Sequence, residues 1–174
     1  MVVKGNRLVL KILCPENVTQ NYLGWMRDED IIQFMECRGK TYALGELKDY
    51  AKRVDESHND FLFGIYTSDD NVHIGNIKIG GINQLHKFGN LGLMIGEKKY
   101  WGKGYGTVAI KLATEYAFNK LHLNKLIAGI YGNNTGCCKA FIKAGYNEVG
   151  RLKKHRLHKD EYVDQIIMEK LNDR

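Results

Sequence analysis

Proline is nearly absent from this sequence. Pro15 is the only one in 174 residues, so no proline-rich linker divides the chain. Long apolar runs are missing as well. None approaches the ~18 residues of a membrane-crossing helix, and no membrane partner is expected. The start, Met1-Val2-Val3-Lys4-Gly5-Asn6-Arg7, lacks the apolar stretch of a signal peptide, so the chain is expected in the cytoplasm. Cysteines stand only at 14, 37, 137 and 138, without a metal-ligating spacing. Free thiols in a reducing compartment, and no metal, are the expectation. There are no internal repeats and no low-complexity tracts.

What remains is an ordinary globular composition, 44% hydrophobic and 26% charged. The length predicts one domain over residues 1–174. A net charge of +6 draws anions, among them coenzyme A, nucleotide-linked substrates and acidic proteins. Nucleic acid is the least fitting of these partners, because the basic residues lack interleaved aromatics or a groove-reading motif.

Period-two alternation predicts strands over 7–13, 61–66, 72–82, 91–95 and 125–131, with a final hairpin of 146–157 and 162–171. The three strands between 61 and 95 have turn-like links and read as an antiparallel meander. A helix is predicted from Cys14 to about Met26, with Pro15 in its first turn. A second covers about Leu44 to Ser57. Val108, Ala109, Leu112, Ala113, Tyr116 and Ala117 recur at helical spacing. Asn133-Asn134-Thr135 starts another helix, closed by Gly145 at its C′ position.

The stretch around which these elements are arranged is Leu91-Gly92-Leu93-Met94-Ile95-Gly96, then Glu97 to Tyr100, then Trp101-Gly102-Lys103-Gly104-Tyr105-Gly106-Thr107 and a helix. Glycines let backbone amides approach an anion, and the helix start adds unpaired N–H groups and its dipole. It is not a dinucleotide fingerprint, since Thr107 stands where the third glycine belongs and 121–126 holds no acid. Nor is it a P-loop, since no Gly-Lys-Ser/Thr follows four spacers.

Trp101-Gly102-Lys103-Gly104-Tyr105-Gly106 resembles the coenzyme A loop of the GNAT superfamily, with Trp in place of Gln or Arg. Asn134-Thr135-Gly136-Cys137-Cys138-Lys139-Ala140-Phe141, followed by Gly145-Tyr146, resembles that superfamily's second motif. Cys137 stands where Ser is common and Phe141 where Tyr is common. The resemblance implies an α/β (α+β) GNAT fold: a mixed, mostly antiparallel sheet of six to seven strands with helices on both faces. It implies acetyl-CoA as co-substrate and an N-acetyltransferase acting by direct attack in a ternary complex. It also implies that Leu93, Met94, Ile95 and Gly96 hold the pantetheine arm and aim one N–H at the thioester. Trp101, Gly102, Lys103, Gly104, Tyr105, Gly106 and Thr107 are then expected to hold the pyrophosphate, with Asn134, Cys137 and Phe141 also at the coenzyme. Phe141 cannot supply the proton that the family's Tyr is proposed to give the departing thiolate.

His86 is the candidate general base, because an imidazole near ~6.5 suits proton removal at neutral pH. Trp25, Met26, Phe34 and Tyr42 are candidates for the acceptor wall, each equally readable as core. The segments 82–92 and 148–164 resemble amino-sugar nucleotide N-acetyltransferases of the pseudaminic-acid pathway. Arg151, Lys153, Lys154, Arg156 and Lys159 would then neutralise a nucleotide diphosphate, and the acceptor would be the 4-amino group of an anionic nucleotide sugar. A ribosomal-protein-type N-terminal acetyltransferase and a non-catalytic coenzyme A-binding module are the alternatives. A polyamine fits a basic surface less well. A homodimer is left open.

Overall fold

Leu8 and Leu10 are fully buried, while Val9 and Lys11 are only partly covered. That alternation builds a strand whose one face meets the core. The structure, a computed structural model, describes residues 2–172. Eight strands form one sheet. They are β1 Val2–Lys4, β2 Leu8–Ile12, β3 Phe61–Thr67, β4 His73–Asn83, β5 Phe88–Ile95, β6 Lys125–Tyr131, β7 Asn147–His158 and β8 Glu161–Leu171, in the order β1-β2-β3-β4-β5-β6-β8-β7. Among the described residues only β5 and β6 pair in parallel. The meander from β3 to β5 is as the turns foretold.

The expected six to seven strands become eight through β1. It is three residues long and largely exposed, too short to show an alternation. Gly5 N–H donates to Leu8 O at 2.8 Å and turns β1 back onto β2. The single helix expected from Cys14 to Met26 is also broken up. A 3-10 turn, Pro15–Asn17, is followed by α1, Gln20–Trp25. Thr19 divides them, because its hydroxyl accepts from Tyr22 N–H and caps a new helix start. Asp28 caps α2, Glu29–Ile32, by accepting from Asp30 N–H. The helix α3 spans Leu44–Asp55.

The remaining helices are α4, Tyr105–Asn119, and α5, Thr135–Lys143. Ala109, Ala113 and Ala117 in α4 are fully buried, and their small side chains let the helix lie close to the sheet. They share a core with Leu8, Leu10, Phe63, Ile77 and Leu91. On the opposite face, Leu62 and Met94 pack with α1, α2 and α3. Helices therefore cover both faces. Lys159 and Asp160, both at positive φ, make the two-residue turn between β7 and β8.

Candidate active site

Strands β5 and β6 stay together for three residue pairs only, Phe88↔Lys125 to Asn90↔Ile127. Beyond Asn90 each follows its other neighbour: β5 stays on β4 up to Ile95, and β6 stays on β8 up to Tyr131. The sheet opens into a cleft. Leu91 to Ile95 line one wall and Ala128 to Tyr131 the other, in a cavity of about 740 Å³. A parted pair of strands exposes main-chain N–H and C=O groups that need partners. The cleft therefore offers an extended ligand a strand edge.

At the mouth, Gly102 and Gly104 take φ of +71° and +83°, a backbone region that side chains rarely adopt. Gly104 is the N-cap of α4. The first bond within the helix is donated by Val108 N–H to Gly104 O. The amides of Tyr105, Gly106 and Thr107 precede it and have no helical acceptor. A Cβ on Gly106 would come within 3.2 Å of the Leu93 side chain, a tight approach that Leu93 would have to yield to, so the helix start lies close against β5. The Trp101 indole donates to Ile95 O at 2.8 Å and ties the loop to the strand end. Arg7 donates to Lys103 O at 3.2 Å and lies over the Tyr105 ring, 4.2 Å from its centroid. Lys139 and Lys143 of α5 line the same cavity. Unpaired amides and a helix start at the cleft mouth, with Lys139 and Lys143 in the lining of the same cavity, fit a diphosphate.

Most of the residues expected at the coenzyme meet here. Leu93, Met94, Ile95, Trp101, Gly102, Gly104, Tyr105, Gly106, Thr107, Asn134, Cys137 and Phe141 all line the cavity. Asn134 Oδ1 accepts from Cys137 N–H at 3.2 Å and caps α5. Phe141 is 1% exposed and meets Tyr146 edge-on. The Tyr146 hydroxyl is bound to Thr114 Oγ1 at 2.8 Å. Burial pushes the Cys137 thiol up to about 12, so it stays protonated in neutral solution.

Three expected residues fall outside. Gly96 N–H donates to Ile74 O at 2.9 Å, and a Cβ there would sit within 2.0 Å of the Trp25 indole. Gly96 is thus a spacer for Trp25, with its amide already occupied. Lys103 does not line the cavity, although its carbonyl helps to hold Arg7. His86 lies exposed in the turn between β4 and β5, its N–H donated to Asn83 Oδ1. Met94, in the cavity lining, is roughly 20 Å from Phe88 at ~3.4 Å per residue. His86, beyond Phe88, does not line the cavity.

The other half of the cavity is built by α1, α2 and the segment after it. Tyr22, Phe34 and Met35 line it with Tyr50, Leu62, Asn76 and Lys78. Of the apolar wall candidates only Phe34 does so, while Trp25 and Met26 are buried core and Tyr42 packs beside them. The carboxylates in the lining are neutralised: Asp30 by Lys98 at 2.7 Å, Glu36 by Arg156 at 2.7 Å. Tyr131 donates to Glu36 and accepts from Arg38. Sequence reasoning missed Arg7, Tyr22, Asn76 and Tyr131. For Asn76 a signal existed, an amide side chain within the apolar run Ile74-Gly75-Asn76-Ile77. No cluster of three or more His, Cys, Asp or Glu able to hold a metal occurs among the described residues.

Comparison with known proteins places this geometry. The protein named Probable N-acetyltransferase YjcK, from Bacillus subtilis (strain 168), is 26% identical over 178 residues, 98% of this chain and 97% of that one. The fold is shared with a spermidine N-acetyltransferase from Vibrio cholerae in complex with CoA and spermine (TM-score 0.85, 20% identity, 96% of each chain). It is also shared with a ribosomal-protein-S5-alanine acetyltransferase from Vibrio fischeri (TM-score 0.87, 18% identity, 99% of this chain and 97% of that one). The family model for the acetyltransferase (GNAT) domain matches residues 7–147, and the chain belongs to the GNAT family of acetyl-CoA-dependent N-acetyltransferases.

Proposed function

We propose that the chain moves the acetyl group of acetyl-CoA to a small primary amine by direct attack within the cleft. The observation that carries this is the parting of β5 from β6 beside the Gly102–Gly106 turn. The amides of residues 105–107 would hold the diphosphate, with Lys139 and Lys143 nearby. The edge of β5 facing the cleft, from 91 to 94, would pair with the pantetheine arm and present an N–H to the thioester oxygen as charge develops there. The amine attacks the carbonyl carbon, the C–S bond breaks, and the nitrogen loses a proton to water.

The leaving sulfur departs as the thiolate. Phe141 has no proton to give. Cys137, held at about 12, does not protonate a thiolate whose own pKa is near ~8.5.

The acceptor enters over Tyr22, Phe34 and Tyr50. The nucleotide-sugar reading loses its support in the β7–β8 hairpin. Arg151 pairs with Glu148 and Asp164, Lys153 with Asp164, and Arg156 with Glu36. No residue of that hairpin lines the cavity.

The test is thiol release from acetyl-CoA with a panel of amines, including a 4-amino-deoxysugar nucleotide, a peptide with a free N-terminus, spermidine and simple amines. Turnover of small amines without the nucleotide supports the proposal. Turnover restricted to the nucleotide sugar or to the peptide replaces the acceptor class. Binding of coenzyme A without any thiol release leaves only a binding module.

A further inference from the structure

Asn76 is 5% exposed and lines the cavity in the middle of β4. It stands directly opposite Met94 in the β4–β5 ladder, so its side chain shares the Met94 face of the sheet. That places it one strand spacing from the edge at which the thioester is to react. Its Oδ1 is 2.9 Å from His73 Nε2. The Nε2–Oδ1 contact is read with the ring proton on Nε2, so His73 donates to Oδ1 and the buried, unpartnered Nδ1 is the unprotonated nitrogen. The ring is fixed by stacking on Tyr66, at 4.8 Å and 19°, and by Trp25 edge-on at 4.9 Å. Trp25 in turn donates to Glu97 Oε1. With Oδ1 held, the amide cannot rotate freely; Asn76 Nδ2 is buried and makes no hydrogen bond of normal geometry, with the Tyr22 hydroxyl beside it on the cavity wall interacting with the amide. A buried N–H without an acceptor is uncommon and calls for one.

We propose that Asn76, oriented by His73, is a specificity-determining residue that donates from Nδ2 to an oxygen of the acceptor, and that the acceptor class is a primary amine that also bears a hydroxyl or carbonyl oxygen. This rests on the acetyltransferase reading and narrows its acceptor. The rest of the floor agrees. Lys78, two residues along on the same face, also lines the cavity, its ammonium paired with Asp60 at 2.9 Å. The carboxylates that would attract an oxygen-free polycation are held by Lys98 and Arg156. The site thus offers a donor to an oxygen rather than acceptors to a second ammonium.

The experiment compares kcat/KM for ethanolamine, glycinamide and glucosamine with that for propylamine and putrescine. Calorimetry on coenzyme A accompanies every variant. The wild-type enzyme is expected to favour the oxygen-bearing amines at least tenfold. Asn76→Leu is expected to lower that ratio about tenfold, the size of one lost hydrogen bond with its partner left unpaired. His73→Phe keeps an aromatic ring but removes the donor to Oδ1, and is expected to lower the ratio in the same direction. Asn76→Asp, which replaces the N–H with an acceptor, is expected to shift the preference toward putrescine. Should Asn76→Leu not fold, Asn76→Ser and His73→Phe carry the test. A wild-type ratio near one, or a ratio that Asn76→Leu or Asn76→Ser leaves unchanged, overturns the assignment but leaves the acetyltransferase reading standing. No thiol release with any amine overturns both.

Discussion

Gly104 does two jobs at once. It holds φ at +83°, and it caps a helix whose next three amides point toward the cleft mouth. An L side chain in that conformation costs roughly 1–2 kcal/mol, and a carboxylate there would also repel a phosphate. Gly104→Asp is therefore expected to weaken acetyl-CoA binding by tenfold or more, read as Kd by calorimetry. An unchanged Kd would remove the phosphate from this turn. This part of the site was legible in the sequence, because glycine spacing reports backbone geometry directly. Gly96 belonged to the same run of letters yet does something else. Its neighbour across space, Trp25, is 71 positions away in the chain, and no local pattern reports that.

At the scale of elements, the Trp25 indole joins α1 to the end of β5. It lies on Gly96, donates to Glu97 and touches His73. Gly96→Ala inserts a methyl group where there is no space. It is expected to destabilise the fold by about 1–3 kcal/mol, seen as a lower urea midpoint at unchanged slope. A second junction closes the acceptor side. Phe34 stacks on His158 at 4.7 Å, and His158 also meets Gln33 and Asn133. Arg38 donates to Leu157 O and to Tyr131, and Arg156 pairs with Glu36. Residues 33–38 are thereby strapped to the hairpin tip. His158→Ala is expected to raise the acceptor KM several-fold, to leave the Kd for coenzyme A in place, and to speed hydrogen exchange over 33–38. Unaltered exchange there would mean the strap holds without the imidazole.

These junctions also show where the sequence ceased to be readable. Long periodic elements such as α4 and β6 appear where their patterns put them. The region 14–40 breaks into a 3-10 turn and two short helices, because Thr19 and Asp28 each cap a new start within a few residues. Periodicity needs more turns than that to register. In the basic hairpin the sequence shows the cations and, in the same segment, Glu148 and Asp164, but not that these carboxylates and the distant Glu36 pair with them. His86 and the cleft stand at opposite ends of β5, and only the parting of β5 from β6 shows at which end the sheet opens.

For the whole molecule, buried titratable groups bound the pH range of stability. Burial pushes Cys137 up to about 12 and raises Tyr22 and Tyr146 well above the usual phenol. In the unfolded chain a thiol ionises near ~8.5 and a phenol near ~10. Above those values the unfolded state has lost protons that the native state keeps, so stability falls as pH rises. On the acid side, burial holds His73 below its usual value. As pH drops through ~6.5 the unfolded imidazole takes up a proton that the buried ring does not, and stability falls again. Further down, Asp28, bound by Lys98, and Asp164, bound by Lys154 N–H and Lys153, keep their carboxylates below the usual range. Their contribution is present above ~3.9 and is lost as pH falls through their lowered native values. The melting temperature is therefore expected to form a plateau between about pH 6.5 and 8.5, with a decline on each side. Cys137→Ala removes one alkaline group and should make that limb shallower, while His73→Phe should do the same to the limb just below 6.5. Calorimetric scans from pH 4 to 10.5 decide it, and a melting temperature still rising past pH 9 would show that these groups are not buried in solution.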